Sequence, residues 1–197
     1  MSLGACKTKK VASTQKTEKT QVNQQEEGVV ETDYQFINGE ECFGEENIPT
    51  FQAFNEGEFF RGLSGLPMVF SAFTTDDALL EEYLTKYRDG GTHSLVLPVV
   101  SNNSTMCRIF KLTESSTLSP ELQKKYPQLY SLKGNELGLE SHTARIAYDP
   151  DKGLNAYINI DKSIVIIERR LINSKLFYLV YDKKESGRSA EEFENFK

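Results

Sequence analysis

The sequence predicts an α+β fold: mainly an antiparallel sheet meander with one or two short helices packed on it, preceded by a disordered tail. Three observations lead to this fold class. The second half alternates apolar and polar residues at strand spacing, one earlier segment carries an apolar helical face, and the N-terminal segment is almost entirely polar. The predicted organisation is a tether over 1–33, a single domain over 34–184 and a polar tail over 185–197.

The predicted tether contains too little apolar surface to fold. Between Lys7 and Asp33 there is no aromatic residue, and five lysines balance five acidic residues. Burial in such a segment cannot offset the entropy lost on ordering it. The net charge of −6 therefore falls on the globular domain. Because phosphate binding needs clustered Lys and Arg, we expect no nucleic-acid partner.

The first half of the domain predicts a short helix over 55–63, a strand over 68–73 and a longer helix that begins at Thr75. In the longer helix, Thr75 is the predicted N-cap, and Asp76 and Asp77 lie at the positive end of the helix dipole. Leu80, Tyr83 and other apolar residues fall on one face, and the pair of glycines at 90–91 is expected to end the helix.

From residue 93 onward the apolar period is two, which is typical of strands. A helical turn at 119–122 interrupts the pattern, since a Pro follows the capping Ser119. The runs 164–167 and 176–181 are continuously apolar, so these two strands are predicted to be central. The predicted strands are 94–100, 105–112, 129–133, 143–148, 154–160, 163–168 and 176–181.

No catalytic, cofactor or metal site is predicted. His93 and His142 lie far apart in the sequence and neither belongs to a zinc-ligand spacing, so His142 is interpreted as a surface or hydrogen-bonding residue. The motifs of phosphate-binding loops, dinucleotide folds and serine hydrolases are absent from the sequence. The sequence therefore predicts a protein that is not an enzyme.

The N-terminal run Leu3-Gly4-Ala5-Cys6 resembles the end of a bacterial lipoprotein signal peptide. In that family the Cys is lipidated and becomes the new N-terminus, so the resemblance implies lipidation of Cys6. The alternative is a plain free cysteine. With lipidation, the chain is exported and reaches the membrane only through the lipid on Cys6, with the polar tail as a spacer. The expected location is the bacterial cell envelope, lipid-anchored, or the secreted fraction.

Removing Cys6 leaves Cys42 and Cys107 as an even pair. In an oxidising compartment they can form a disulfide. In the alternative interpretation, Cys107 is a small apolar residue in a strand, and Cys42 is a thiol in the polar loop 38–46.

The stretch from about residue 95 to 181 resembles the N-terminal pro-region of secreted, reprolysin-like bacterial zinc metalloproteases. In that family a strand hairpin precedes a helix-forming segment and a further pair of strands. The residues that match lie in Leu97-Pro98 and in the runs 108–115, 118–134, 143–149, 153–158 and 178–181.

The resemblance implies a non-catalytic domain that inhibits a zinc protease catalytic domain or helps it to fold. Such pro-regions often place a thiolate or carboxylate on the zinc. Cys42 is the candidate thiol, with Glu41 and Glu45 as substitute carboxylates. Tyr126 is expected to anchor the core and Gly134 to form a turn.

The family's catalytic domain is expected to lie outside these residues. The chain is then a pro-region from a longer zymogen, a free-standing relative, or a sheet domain that matches by coincidence. The alternative function is an envelope lipoprotein that binds another protein or a glycan, unrelated to proteolysis.

Overall fold

A computed structural model describes residues 34–44, 48–86, 91–115, 119–126 and 128–187. The predicted tether and Cys6 lie outside the described residues, as does most of the predicted C-terminal tail. Within the described part, a mainly antiparallel sheet with two helices makes up the fold, which confirms the predicted α+β class.

From residue 68 onward the described elements follow the predicted order, and two short strands and a 3-10 turn precede them. The strands are β1 (Gln35–Phe36), β2 (Gln52–Phe54), β3 (Val69–Thr74), β4 (Thr92–Ser101), β5 (Ser104–Glu114), β6 (Tyr130–Glu136), β7 (Leu139–Asp149), β8 (Gly153–Ile160), β9 (Ser163–Ile172) and β10 (Lys175–Asp182). The helices are α1 (Asp77–Lys86) and α2 (Pro120–Lys125), and 3-10 turns cover Gly57–Phe60 and Lys183–Glu185.

These strands form one sheet in the order β1-β3-β10-β9-β8-β7-β6-β5-β4, and β2 also pairs with β3. From β4 to β10 each strand is antiparallel to the next one along the chain, which confirms the predicted meander. Because β4 contacts β10, the sheet curls back on itself. We call the side that carries Phe110 and Ala156 the inner face and the opposite side the outer face.

The inner face holds the main apolar core, and α1 packs against it. Leu80 and Leu84 of α1 are fully buried, and the hydroxyl of Tyr83 donates to the carbonyl of Ser94 at 2.6 Å. A second apolar cluster, rich in aromatic rings, covers the outer face of β3, β9 and β10. The strands β9 and β10 are thus buried on both sides, which confirms their predicted central position.

Two details of the predicted helices are wrong. The segment 55–63 forms only a 3-10 turn, because Phe59 and Phe60 both face the outer aromatic cluster and Gly62 then adopts a φ of 74°. In α1 the N-cap is Asp76, whose Oδ1 accepts from the amides of Ala78 and Leu79 at 3.0 Å. The hydroxyl of Thr75 instead donates to the carbonyl of Thr50.

Two further predicted roles are wrong. Gly134 lies inside β6 rather than in a turn, and a Cβ there would come 1.8 Å from the carbonyl oxygen of Lys111, so only glycine fits. Tyr126 is 37% exposed and is not a core anchor, because it lies just after the C-terminal end of α2. At the C-terminal end, Ser186 is buried, so packed residues extend past the predicted boundary at 184.

Candidate functional site

A disulfide between Cys42 and Cys107 attaches the segment 38–44 to the outer face of β5. The two sulfur atoms lie 2.03 Å apart and the bond closes a loop with a sequence separation of 65. Thr105 strengthens the attachment, since its hydroxyl donates to the carbonyl of Asn38 and accepts from the amide of Glu40. Cys42 also exchanges two backbone hydrogen bonds with Phe51.

This geometry corrects the predicted inhibitory loop. Cys42 is 1% exposed and oxidised, so it offers no thiolate to a zinc ion. Tertiary pairing with Phe51 and β5 buries a residue whose polar neighbours indicated an exposed loop. Glu41 is exposed, and Glu45 lies outside the described residues.

Beside the disulfide, an apolar cleft of about 320 Å³ opens on the outer face of β4 and β5. Three large apolar side chains at the cleft are exposed to solvent: Phe43 by 72%, Leu137 by 61% and Ile109 by 42%. The amide of Leu137 donates to the carbonyl of Ile109, which fixes the β6–β7 turn against β5. The cleft is lined by Phe43, Gly44, Ile48, Ser94, Val96, Ile109 and Leu137.

A row of charged side chains runs behind the cleft, on the inner side of β5, β6 and β7 and in the β8–β9 turn. His142 is 4% exposed, and its Nδ1 lies 2.6 Å from Oε2 of Glu136. The other oxygen of Glu136 accepts from Arg108 at 2.9 Å, and Nε2 of His142 lies 3.2 Å from Oδ1 of Asp161. The order is therefore Arg108, Glu136, His142 and Asp161.

The charged groups around His142 favour its protonated, positively charged imidazole. The hydrogen bond that His142 donates to Glu136 raises the pKa of His142, with Asp161 acting in the same direction and burial opposing both. Both ring nitrogens are engaged by carboxylates, so His142 has no free nitrogen for a substrate. This agrees with the interpretation of His142 as a hydrogen-bonding residue, in a buried rather than a surface position.

A second polar network joins α1 to the sheet. Asp77 accepts a hydrogen bond from the hydroxyl of Tyr178 at 2.6 Å and pairs with Arg169 at 2.7 Å. Tyr148 lies nearby, where burial, with the charge of Glu81, raises its pKa to about 12. The contacts of Asp77 with Tyr178 and Arg169 position the start of α1 on the inner face.

Among the described residues, no group of three or more His, Cys, Asp or Glu side chains is placed to hold a metal ion. None of the described helices is long and apolar enough to cross a membrane.

Neither the cleft nor the row of charged side chains was predicted from the sequence, although β5 carried a signal for each. Phe110 and Leu112 define the inner face, so Ile109 falls at an outward position where a polar residue is expected. By the same alternation Arg108 points inward, where a charge requires a partner. That partner, Glu136, comes from another strand and could not be assigned from spacing.

Comparisons with known protein families, curated proteins and solved structures find no match for this chain.

Proposed function

We propose that this chain is a non-catalytic, exported binding domain that holds a protein partner through the cleft at Phe43, Ile109 and Leu137. The observation that carries the proposal is the exposure of these three large apolar side chains around one cleft. The cleft is apolar and admits one or two partner side chains, which favours a protein over a glycan at this position. The disulfide supports an oxidising compartment and hence export.

The partner class follows from the pro-region resemblance: the catalytic domain of a zinc metalloprotease. Since Cys42 is oxidised and buried, inhibition proceeds by steric blocking of the catalytic cleft rather than by a thiolate on zinc. Lipidation of Cys6 remains part of the proposal and tethers the domain to the envelope.

The test uses the oxidised chain and the zinc metalloprotease catalytic domains encoded in the same genome. Addition of the chain is expected to slow peptide hydrolysis by one of these domains in a stoichiometric manner. Phe43→Asp should weaken the inhibition by about tenfold or more, because it places a charge in the apolar contact. Leu171→Asp is the matched control, since Leu171 is 69% exposed on the β9–β10 hairpin and does not line the cleft.

The two substitutions separate the outcomes. Equal loss with Phe43→Asp and Leu171→Asp would remove the cleft from the binding surface. Absence of inhibition, and of any gain in refolding yield of the catalytic domains, would exclude the protease partner.

A further inference from the structure

The outer face of β5, β6 and β7 carries three exposed cations close together: Lys111, Lys133 and Arg145. Lys133 lies directly opposite Arg145 in the antiparallel pair of β6 and β7. Lys111 lies opposite Asn135, which places it diagonal to Lys133. We call this surface the cationic face.

The arrangement is unfavourable for the isolated domain. Side chains directly opposite in an antiparallel pair have Cβ atoms about 5 Å apart, and like charges in that position destabilise the sheet. Within the described part of the chain, no carboxylate forms an ion pair with Lys111, Lys133 or Arg145. The full chain carries 29 acidic and 23 basic residues and has a net charge of −6. The cluster of cations is therefore a positively charged surface on a negatively charged protein.

The neighbours of the cations are hydrogen-bonding and aromatic side chains. Tyr157 is 46% exposed and lies opposite Arg145 on β8. Asn159 donates to the hydroxyl of Thr143 at 3.0 Å, and Asn135 donates to the backbone of Glu140 at 2.6 Å, which holds both amides in place. Amides of this kind bond to sugar hydroxyls, and an exposed tyrosine ring offers a flat surface for the face of a sugar ring.

We propose that the cationic face binds a linear acidic glycan, one that carries carboxylates along its sugar chain. Arg145 pairs with a carboxylate in a bidentate manner, and Lys111 and Lys133 supply further charge on the same surface. Three cations are too few for a nucleic acid or for stable attachment to an anionic membrane, which attracts clusters of four to eight. The surface shares no residue with the apolar cleft, although Lys111 lies opposite Ser94 of the cleft lining. The site is therefore tested apart from the proposed protein partner.

The experiment measures binding of the oxidised chain to oligogalacturonate and to oligomers of alginate by calorimetry at low and physiological salt. We expect binding to at least one of them that weakens as salt rises, because exposed charges are screened. The variant Lys111→Gln/Lys133→Gln/Arg145→Gln should lose about tenfold or more in affinity. Tyr157→Ala should lose a smaller factor, through the loss of ring stacking.

The matched control is Lys124→Gln/Lys152→Gln/Lys162→Gln, which removes the same charge from exposed positions on α2 and two turns. It should bind the oligomers like the wild-type chain, as should Phe43→Ala, which alters the apolar cleft without changing the charge. Circular dichroism verifies that each variant is folded, and the cationic-face variant should melt no lower than the wild-type chain.

Several outcomes would overturn the proposal. These are absence of binding to both uronate oligomers, equal losses in the two triple variants, or equal affinity for an uncharged dextran oligomer. Vesicles that contain phosphatidylglycerol provide the last arm. Stronger cation-dependent binding to these vesicles than to the oligomers would assign the surface to a membrane instead.

Discussion

The two halves of the outer face differ sharply, although they belong to one sheet. On β3, β9 and β10 the outer side chains are apolar and lie under an aromatic cluster in which Phe60 contacts Phe36, Phe54, Phe70 and Phe177. On β6 to β8, and on β5 beyond Ile109, the outer side chains are mainly Lys, Arg, Asn and Thr, with Tyr157 among them, and most are exposed. The covered half stabilises the fold. The open half carries like-charged side chains that lower stability and are exposed to a ligand.

The largest effect is expected in the covered half. Phe60 is fully buried, so Phe60→Ala should lower the free energy of unfolding by about 3–5 kcal/mol, through lost burial and the cavity left behind. Phe43→Ala is the matched control on the exposed side and should change stability by about 0.5 kcal/mol or less. Urea unfolding measures both. Equal effects of the two substitutions would contradict the distinction between the covered and open regions.

The next effect concerns the disulfide that holds segment 38–44 on β5. Replacing Cys42 and Cys107 by Ser should lower the free energy of unfolding by about 2–4 kcal/mol, because the bond closes a long loop in the unfolded chain. Urea unfolding of the wild-type chain with and without a reductant should show the same loss. The double variant should not respond to the reductant, and a response there would assign the effect to another group.

A pH-dependent effect is expected behind the open half, at His142. Because the pKa of His142 is raised in the folded state, its stabilisation is complete below its ordinary value of about 6.5 and is lost as pH rises through the raised value. The melting temperature of His142→Gln should therefore fall furthest below wild type near pH 6 and approach it at higher pH. Burial lowers the pKa of His93, which acts in the opposite direction, so the difference between variant and wild type isolates His142. A difference that is independent of pH would contradict a raised pKa of His142 within the range measured.

The smallest effect is expected in the open half itself. Lys133→Gln removes the repulsion from Arg145 and should raise the free energy of unfolding by about 0.2–1 kcal/mol. Lys162→Gln, in the β8–β9 turn, provides the control and should leave stability nearly unchanged. Thermal melting at low salt measures both variants. A loss of stability with Lys133→Gln would mean that the lysine stem packs on the sheet more strongly than its charge opposes it.

Much of the fold followed from local pattern. The β4–β5 hairpin is an example: two alternating runs flank Asn102 and Asn103, which both adopt positive φ as a tight two-residue turn requires. The central position of β9 and β10 followed from their continuous apolar runs, because a strand buried on both faces has no polar side. These features depend on neighbours in sequence, so they were predictable.

The sites depended on contacts that the sequence does not encode at fixed spacing. Only tertiary structure decided that Cys42 is buried against Cys107, that Glu136 neutralises Arg108, and that Phe43 reaches Ile109 from a distant segment. Sequence alone determined the alternation that puts Lys133 and Arg145 on a polar face. Their direct opposition was decided by the strand register, because a two-residue change in pairing would have separated the two charges.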